Sequence, residues 1–324
     1  MPRLDETESS FQNALSSNSL PTNLLPTNPL VGSSEFGSRR GFLKRVLTGA
    51  TIALVGGITG FHDRVDASPE LVPSTGVSAA QVGTLQVGRL KTATENFATL
   101  TIAEGDQIHA LFNNTWGTPN EPHTAMIAGL SSANRFESYI AWDWPNLPTN
   151  GMPIHGYHTV YHGLDTAANV VTDSRFPFQV SQHSALKLDI PNVAVKGQGR
   201  WGLAFDTFLF KQRPFTVENV QAEIFIVLKA QDYAVPSEDS SLSSSGVAYG
   251  HGQWPGNTMT HIFWRKDNPN VPFRQTIDIY DFIRFLKNRN FASDTNILTM
   301  IDLGVEPIVG AGTFTLDSFY VTLG

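Results

Sequence analysis

Residues 221–228 read Gln221-Ala222-Glu223-Ile224-Phe225-Ile226-Val227-Leu228. Side chains alternate along a strand, so Ala222, Ile224, Ile226 and Leu228 form one apolar face that fits a core. The other face holds Gln221, Glu223, Phe225 and Val227. It sets an acid among apolar neighbours, where an ionised carboxylate loses hydration. The run at 201–210 predicts a partner strand, and Arg213-Pro214-Phe215-Thr216 between them predicts a hairpin tip. Symmetry about 214/215 pairs Asp206 directly with Glu223, with Cβ atoms roughly 4.5–5.5 Å apart. Two carboxyls that close do not both ionise easily, so one holds a proton and bonds the other.

Working outward, short apolar or alternating segments recur near 98–103, 107–113, 123–129, 136–142, 179–188, 259–264, 296–303 and 313–323. Gly, Pro, Asn and Asp punctuate them. Regular short strands with turn signals predict an all-β fold, a β-sandwich or concanavalin-like jelly roll. One short helix is expected on its outside, because Ile279, Phe282, Ile283 and Leu286 fall at the spacing of a helical face. The serine-rich stretch 237–246 is expected to be a mobile loop.

The strand before residue 306 carries a second acid. Ile297, Ile301, Leu303 and Val305 point one way, and Leu298, Met300, Asp302, Gly304 and Glu306 the other. Gly304 leaves space beside Glu306 for something to approach. Strand-borne carboxyls of this kind are what a glycosidase needs: one attacks or activates water, the other protonates the leaving oxygen. Roughly 5–5.5 Å between them goes with retention and roughly 6.5–9.5 Å with inversion. The alternative is that Asp206 and Glu223 are ordinary solvent-facing residues of an outer sheet.

The 324-residue chain has a net charge of −7, and no cysteine. Lys/Arg and Asp/Glu balance over residues 1–67, so the excess negative charge belongs to the rest. An acidic body repels phosphate backbones, which argues against nucleic acid and leaves a neutral polysaccharide compatible. Absence of cysteine excludes disulfides, thiol catalysis and zinc–thiolate sites. His155, His158 and His162 lack the His-Glu-x-x-His spacing of zinc peptidases, so no metal is expected. No Gly-x-Ser-x-Gly elbow, phosphate loop or dinucleotide fingerprint occurs, and no cofactor is expected.

At the N-terminus, residues 1–37 are rich in Ser, Asn, Thr and Pro and are expected to be a disordered extension. Ser38-Arg39-Arg40-Gly41-Phe42-Leu43-Lys44 precedes an apolar stretch at 46–61, and Val65-Asp66-Ala67 offers a small-residue cleavage site. Residues 38–67 therefore resemble a twin-arginine export signal, with a membrane helix as the rival. Export to the periplasm or exterior is expected, with no membrane contact beyond the signal. Residues 68–95 are expected to be linker and leading segment, and 96–324 the catalytic jelly roll.

Five segments in consistent order over about 105–324 resemble glycoside hydrolase family 12, the small jelly-roll endoglucanases and xyloglucanases. Asn113-Asn114-Thr115-Trp116-Gly117 stands for the family's Asn-Asn-Leu-Trp-Gly. Trp142-Asp143-Trp144 with His155-Gly156-Tyr157-His158 stands for its Trp-x-Trp and Lys-Ser-Tyr-Pro stretches. Phe205-Asp206-Thr207-Phe208 resembles its Tyr-Asp-Leu-Phe. The nucleophile motif matches Glu223–Leu228, and the acid/base motif matches Leu303-Gly304-Val305-Glu306-Pro307-Ile308-Val309-Gly310.

The resemblance implies a retaining endo-β-1,4-glucan hydrolase acting on cellulose, mixed-linkage glucan or xyloglucan, and a monomer. It makes Glu223 the nucleophile, Glu306 the general acid/base and Asp206 a partner of Glu223. It puts Asn114 on a sugar hydroxyl, Trp116 under a sugar ring or else in the core, and Trp142, Trp144, Tyr157 and Phe225 among the substrate-binding positions. Val227 departs from a family tryptophan, Phe225 from a methionine and His158 from a proline, and 232–258 does not align, which touches substrate range. The rival reading is a non-catalytic carbohydrate-binding jelly roll.

Overall fold

The computed structural model describes residues 90–324 apart from 94, 96, 105–106, 116–123, 133–134, 145–153, 155, 166–169 and 255–258. In chain order the strands are β1 (Leu90–Ala93), β2 (Thr99–Glu104), β3 (Gln107–Phe112), β4 (Thr124–Ser132), β5 (Arg135–Trp144), β6 (His158–Asp165), β7 (Val170–Val171), β8 (Phe178–Gln179) and β9 (Leu186–Gly197). They continue with β10 (Arg200–Phe210), β11 (Val220–Gln231), β12 (Ser240–Ser244), β13 (Val247–Gly252), β14 (Thr260–Arg265) and β15 (Phe273–Asp278). Then come helix α1 (Ile279–Lys287), β16 (Ile297–Leu298), β17 (Met300–Asp317) and β18 (Tyr320–Leu323). Residues 1–89, which hold the expected extension, signal and most of the leading segment, lie outside the described residues. The end of that leading segment supplies β1, which pairs with β4.

Two sheets carry the fold. One runs β1-β4-β5-β17-β9-β15, with β18 continuing the line of β17 along β9. The other runs β2-β3-β6-β17-β10-β11-β14-β13-β12. β17 belongs to both: 300–309 pairs with β6 and β10, and 310–317 with β5 and β9. It changes sheet where it passes the β9–β10 turn. There Gly310 (φ 103°) and Gly199 (φ 85°) face each other so closely that a Cβ on Gly199 would sit 2.1 Å from the Val309 carbonyl. Only glycine fits such a left-handed close approach.

The core lies between the sheets. From β10, β11 and β17 come Trp201, Leu203, Phe205, Ile224, Ile226, Ile301, Leu303 and Val305, all buried in one cluster with Ile140, Trp142, Val195, Phe314 and Leu316. Trp142 and Trp201 join the sheets edge-on, with ring centroids 6.2 Å apart. Helix α1 is the α-helix among the described residues. Asp278 caps it by accepting from the Tyr280 amide at 3.0 Å, worth about 1 kcal/mol. Its apolar side buries Phe282 against Tyr249 and Phe263, at 5.2 and 4.9 Å between centroids. The fold is the expected all-β jelly roll with one helix packed on it.

Three local expectations are corrected. Residues 237–246 are no mobile loop: 240–244 pairs with β13 through a two-residue turn in which Ser245 (φ 51°) and Gly246 (φ 80°) are both left-handed, as a tight hairpin requires. The strand expected at 179–188 begins only at Leu186, after a 3-10 turn at Val180–Gln182. The segments expected at 296–303 and 313–323 are largely one long strand, β17, flanked by the short β16 and β18.

Candidate active site

On β10, β11 and β17 every second residue turns away from the core. The ladders fix what stands beside what. Asp206 is the Cα partner of Asp302, Ala204 of Gly304 and Gly202 of Glu306. On the other side of β10, Phe208 is the partner of Glu223, Asp206 of Phe225 and Ala204 of Val227. Beyond β11, Thr260 of β14 is the partner of Glu223 and Ile262 of Phe225. Four carboxyls, Glu223, Asp206, Asp302 and Glu306, therefore share one face of one sheet, and all four are buried. Glu223 and Glu306 stand at its two ends, 0% and 2% exposed.

Asp206 is not directly opposite Glu223, as hairpin symmetry predicted. The connection 211–219 contains a 3-10 turn at Val217–Asn219 and closes with a register shift at Leu209/Phe210. The pairing moves by two residues, and Asp206 becomes a diagonal neighbour of Glu223, roughly 7–8 Å away between backbones. The acid directly opposite Asp206 is Asp302, which sequence reasoning put on the right face and left without a role. That partnership comes from the pairing of β10 with β17, strands separated in the chain by six others and the helix.

Each acid has specific company. Thr260 Oγ1 donates to Glu223 Oε2 at 2.5 Å, and the Glu223 amide donates to the Met259 carbonyl at 3.0 Å. The Tyr233 hydroxyl donates to Glu306 Oε2. Tyr157 donates its one proton to the Ala204 carbonyl at 2.8 Å and also contacts Asp302. Burial, together with the nearby charges of Asp165 and Glu223, pushes the Asp302 proton well above the ordinary carboxylate range. Burial first, then Asp302, Asp206 and Glu306, likewise raises the Tyr157 phenol.

The space expected beside Gly304 is filled from within. A Cβ there would meet the His158 carbonyl at 2.3 Å and the Tyr157 ring at 2.9 Å. Over the acid face lies a small apolar cluster of Tyr157, Ala204, Phe225, Val227 and Ile262, with Tyr233, Trp254 and Trp264 packed on it.

Of the remaining expected sugar-binding residues, Phe225 and Tyr157 are on this face, with rings 6.1 Å apart. Asn114 is half-buried next to them, its carbonyl accepting the Tyr157 amide at 2.8 Å. Trp142 and Trp144 are not on the face. They alternate with Asp143 so that both point into the core, Trp142 against Trp201 and Trp144 edge-on to His158 at 5.4 Å. Their residue type fits sugar stacking, but strand alternation assigns them to packing. Trp116 lies outside the described residues. Among the described residues no group of three or more His, Cys, Asp or Glu is placed to hold a metal ion. Tyr233 and Thr260, which touch the two glutamates, had no sequence signal beyond their proximity to the motifs.

Solved structures similar to this one include a family 12 xyloglucanase from Bacillus licheniformis, with a TM-score of 0.60 at 18% identity. That match covers 72% of this chain and 100% of the other. Trichoderma harzianum endoglucanase 3, also from family 12, matches with a TM-score of 0.56 at 17% identity, over 72% of this chain and 98% of its own. The fold is that of the family 12 glycoside hydrolases. The acid face is the face of the sheet shared by β10, β11 and β17 that turns away from the main core. A curated relative in sequence is the xyloglucan-specific endo-β-1,4-glucanase A of Emericella nidulans, 22% identical over 230 residues, or 66% of this chain and 84% of that protein. No family model matches the chain.

Proposed function

We propose that this protein is a family 12 glycoside hydrolase that cleaves a β-1,4-glucan internally with retention of configuration. The observation that carries the reading is the placement of Glu223 and Glu306 on one non-core face of a family 12 fold, with Asp206 and Asp302 between them. Glu223 attacks the anomeric carbon as the glycosidic C–O bond breaks, and Glu306 gives its proton to the leaving oxygen. Water then attacks the glycosyl ester, losing its proton to Glu306 and releasing Glu223. The first steps are balanced by a single proton that leaves Glu306 and returns to it.

Geometry sets a condition on this chemistry. Glu223 is opposite Phe208 and Glu306 opposite Gly202, so a flat sheet would hold their backbones roughly 20 Å apart along the strands. Retention at about 5–5.5 Å requires the strands to bend around the glucan and both side chains to reach inward over the floor made by Ala204, Gly304 and Phe225. The curated relatives' names support a glucan as substrate, xyloglucan among the candidates. Export through the twin-arginine-like segment at 38–67 belongs to the same proposal.

A second reading is favoured by one observation: both glutamates are buried, Glu306 bonded to Tyr233 and Glu223 to Thr260. A jelly roll that binds glucan without cleaving it would need no access to them. Release of reducing ends from soluble cellulose derivatives, mixed-linkage glucan and xyloglucan separates the two. Turnover on at least one supports hydrolysis, and binding by calorimetry with no turnover on any supports the lectin-like reading.

A further inference from the structure

Two glycines on the acid face are each covered by a tyrosine ring. Tyr157 lies over Gly304, as described, and Tyr233 lies over Gly202, where an added Cβ would meet its ring at 2.8 Å. The chain is built to bring Tyr233 there. β11 ends at Gln231, Asp232 takes a left-handed conformation (φ 47°), and the Arg200 Nε donates to its carbonyl at 3.3 Å. The next residue folds back across the sheet. Gly202 is the Cα partner of Glu306, so a ring resting on Gly202 is beside that glutamate, and its hydroxyl donates to Oε2. Val227 and Trp254 pack against the same ring cluster.

We propose that Tyr233 is a positioning residue for Glu306, holding one carboxyl oxygen so that the transferable proton resides on the other, Oε1. The role rests on Glu306 being the general acid/base. A donor on Oε2 fixes the plane of the carboxyl and directs its second oxygen at one point. It also favours the charged form, which is the base needed when water attacks the glycosyl ester. Gly202 is part of the device, since any side chain there would displace the ring.

Among the described residues, the other titratable groups on this face are Tyr157 before β6, Tyr161 on β6 opposite Asp302, Asp302 on β17, Asp206 on β10 and Glu223 on β11, with Arg200 and Asp232 at the edge. Tyr157 feels the charges of Glu306, Asp302 and Asp206. All of these stay in place when only the Tyr233 hydroxyl is removed, so a change in pH behaviour reports that hydroxyl.

Wild type, Tyr233→Phe and Glu306→Gln are compared by kcat/KM against pH on a soluble glucan. Tyr233→Phe keeps the ring on Gly202, and its alkaline limb should move up by about one pH unit, with KM and the acidic limb nearly unchanged. Carbon-13 titration of the Glu306 carboxyl gives the same comparison without turnover, and its midpoint should rise in Tyr233→Phe. An inactive Glu306→Gln with an unmoved limb and midpoint in Tyr233→Phe overturns this proposal alone. Full activity in Glu306→Gln overturns the acid/base reading and this proposal with it.

Discussion

The two faces of the β10, β11 and β17 sheet are made by alternate residues of the same strands, yet they follow different rules. Inward, Leu203, Phe205, Ile224, Ile226, Leu303 and Val305 fill the space between sheets with nothing but apolar contact. Outward, Asp206, Glu223, Asp302 and Glu306 are just as buried, and each needs a hydrogen-bonding partner to offset lost hydration. One face is optimised for stability. The other carries groups that cost stability and are understandable only through a task. Substitutions on the two faces should therefore separate stability from turnover.

The largest effect is expected from the ends of the acid face. Glu223→Gln and Glu306→Gln should each lower turnover on soluble glucan by about a thousandfold or more, with Tm held or raised. Steady-state kinetics alongside calorimetry reads both, and a matching fall in Tm would erase the contrast between faces. On the core face, Ile224→Ala, one residue from Glu223, should destabilise by about 2–5 kcal/mol in denaturant unfolding while the folded fraction keeps its kcat.

Asp206→Asn should slow turnover by about tenfold and move the acidic limb of the pH profile to lower pH, because a negative charge near Glu223 is removed. An unmoved limb would detach Asp206 from the nucleophile. The smallest effect concerns Asp302. Its proton is kept in the fold after an unfolded aspartate has lost it, so this group's contribution to stability falls as pH rises above about 3.9. Tm for Asp302→Asn should equal that of wild type in acid and exceed it increasingly toward neutral pH. A constant gap would mean that Asp302 is ionised.

The faces themselves were legible in the sequence, because period-2 alternation at 221–228 and 300–306 survives in the structure, whereas Leu298, expected on the acid face, packs in the core opposite Leu209 because the strand breaks at Thr299. Register was less legible. A symmetric β10–β11 connection predicts Glu223 opposite Asp206, but the 3-10 turn at Val217–Asn219 shifts the pairing by two and puts Phe225 there, while Asp302 stands opposite Asp206 on the other side of β10. Polar composition hid the β12–β13 hairpin, although Ser245-Gly246 is a turn pair that tolerates two left-handed residues. Trp142 and Trp144 show the opposite error: residue type suggested sugar, and the alternation of β5 buried them. Tyr233 was out of reach because its place depends on one left-handed residue, Asp232, at the end of a strand.

Trapping the covalent intermediate tests the central claim most directly. A 2-deoxy-2-fluoro-β-glycoside slows both displacement steps by destabilising the oxocarbenium-like transition state, so with a good leaving group the glycosyl-enzyme accumulates. Peptide mass spectrometry should then find one glycosyl residue esterified to Glu223. A label on Asp206, Asp302 or Glu306, or no label in protein that hydrolyses glucan, would contradict the account.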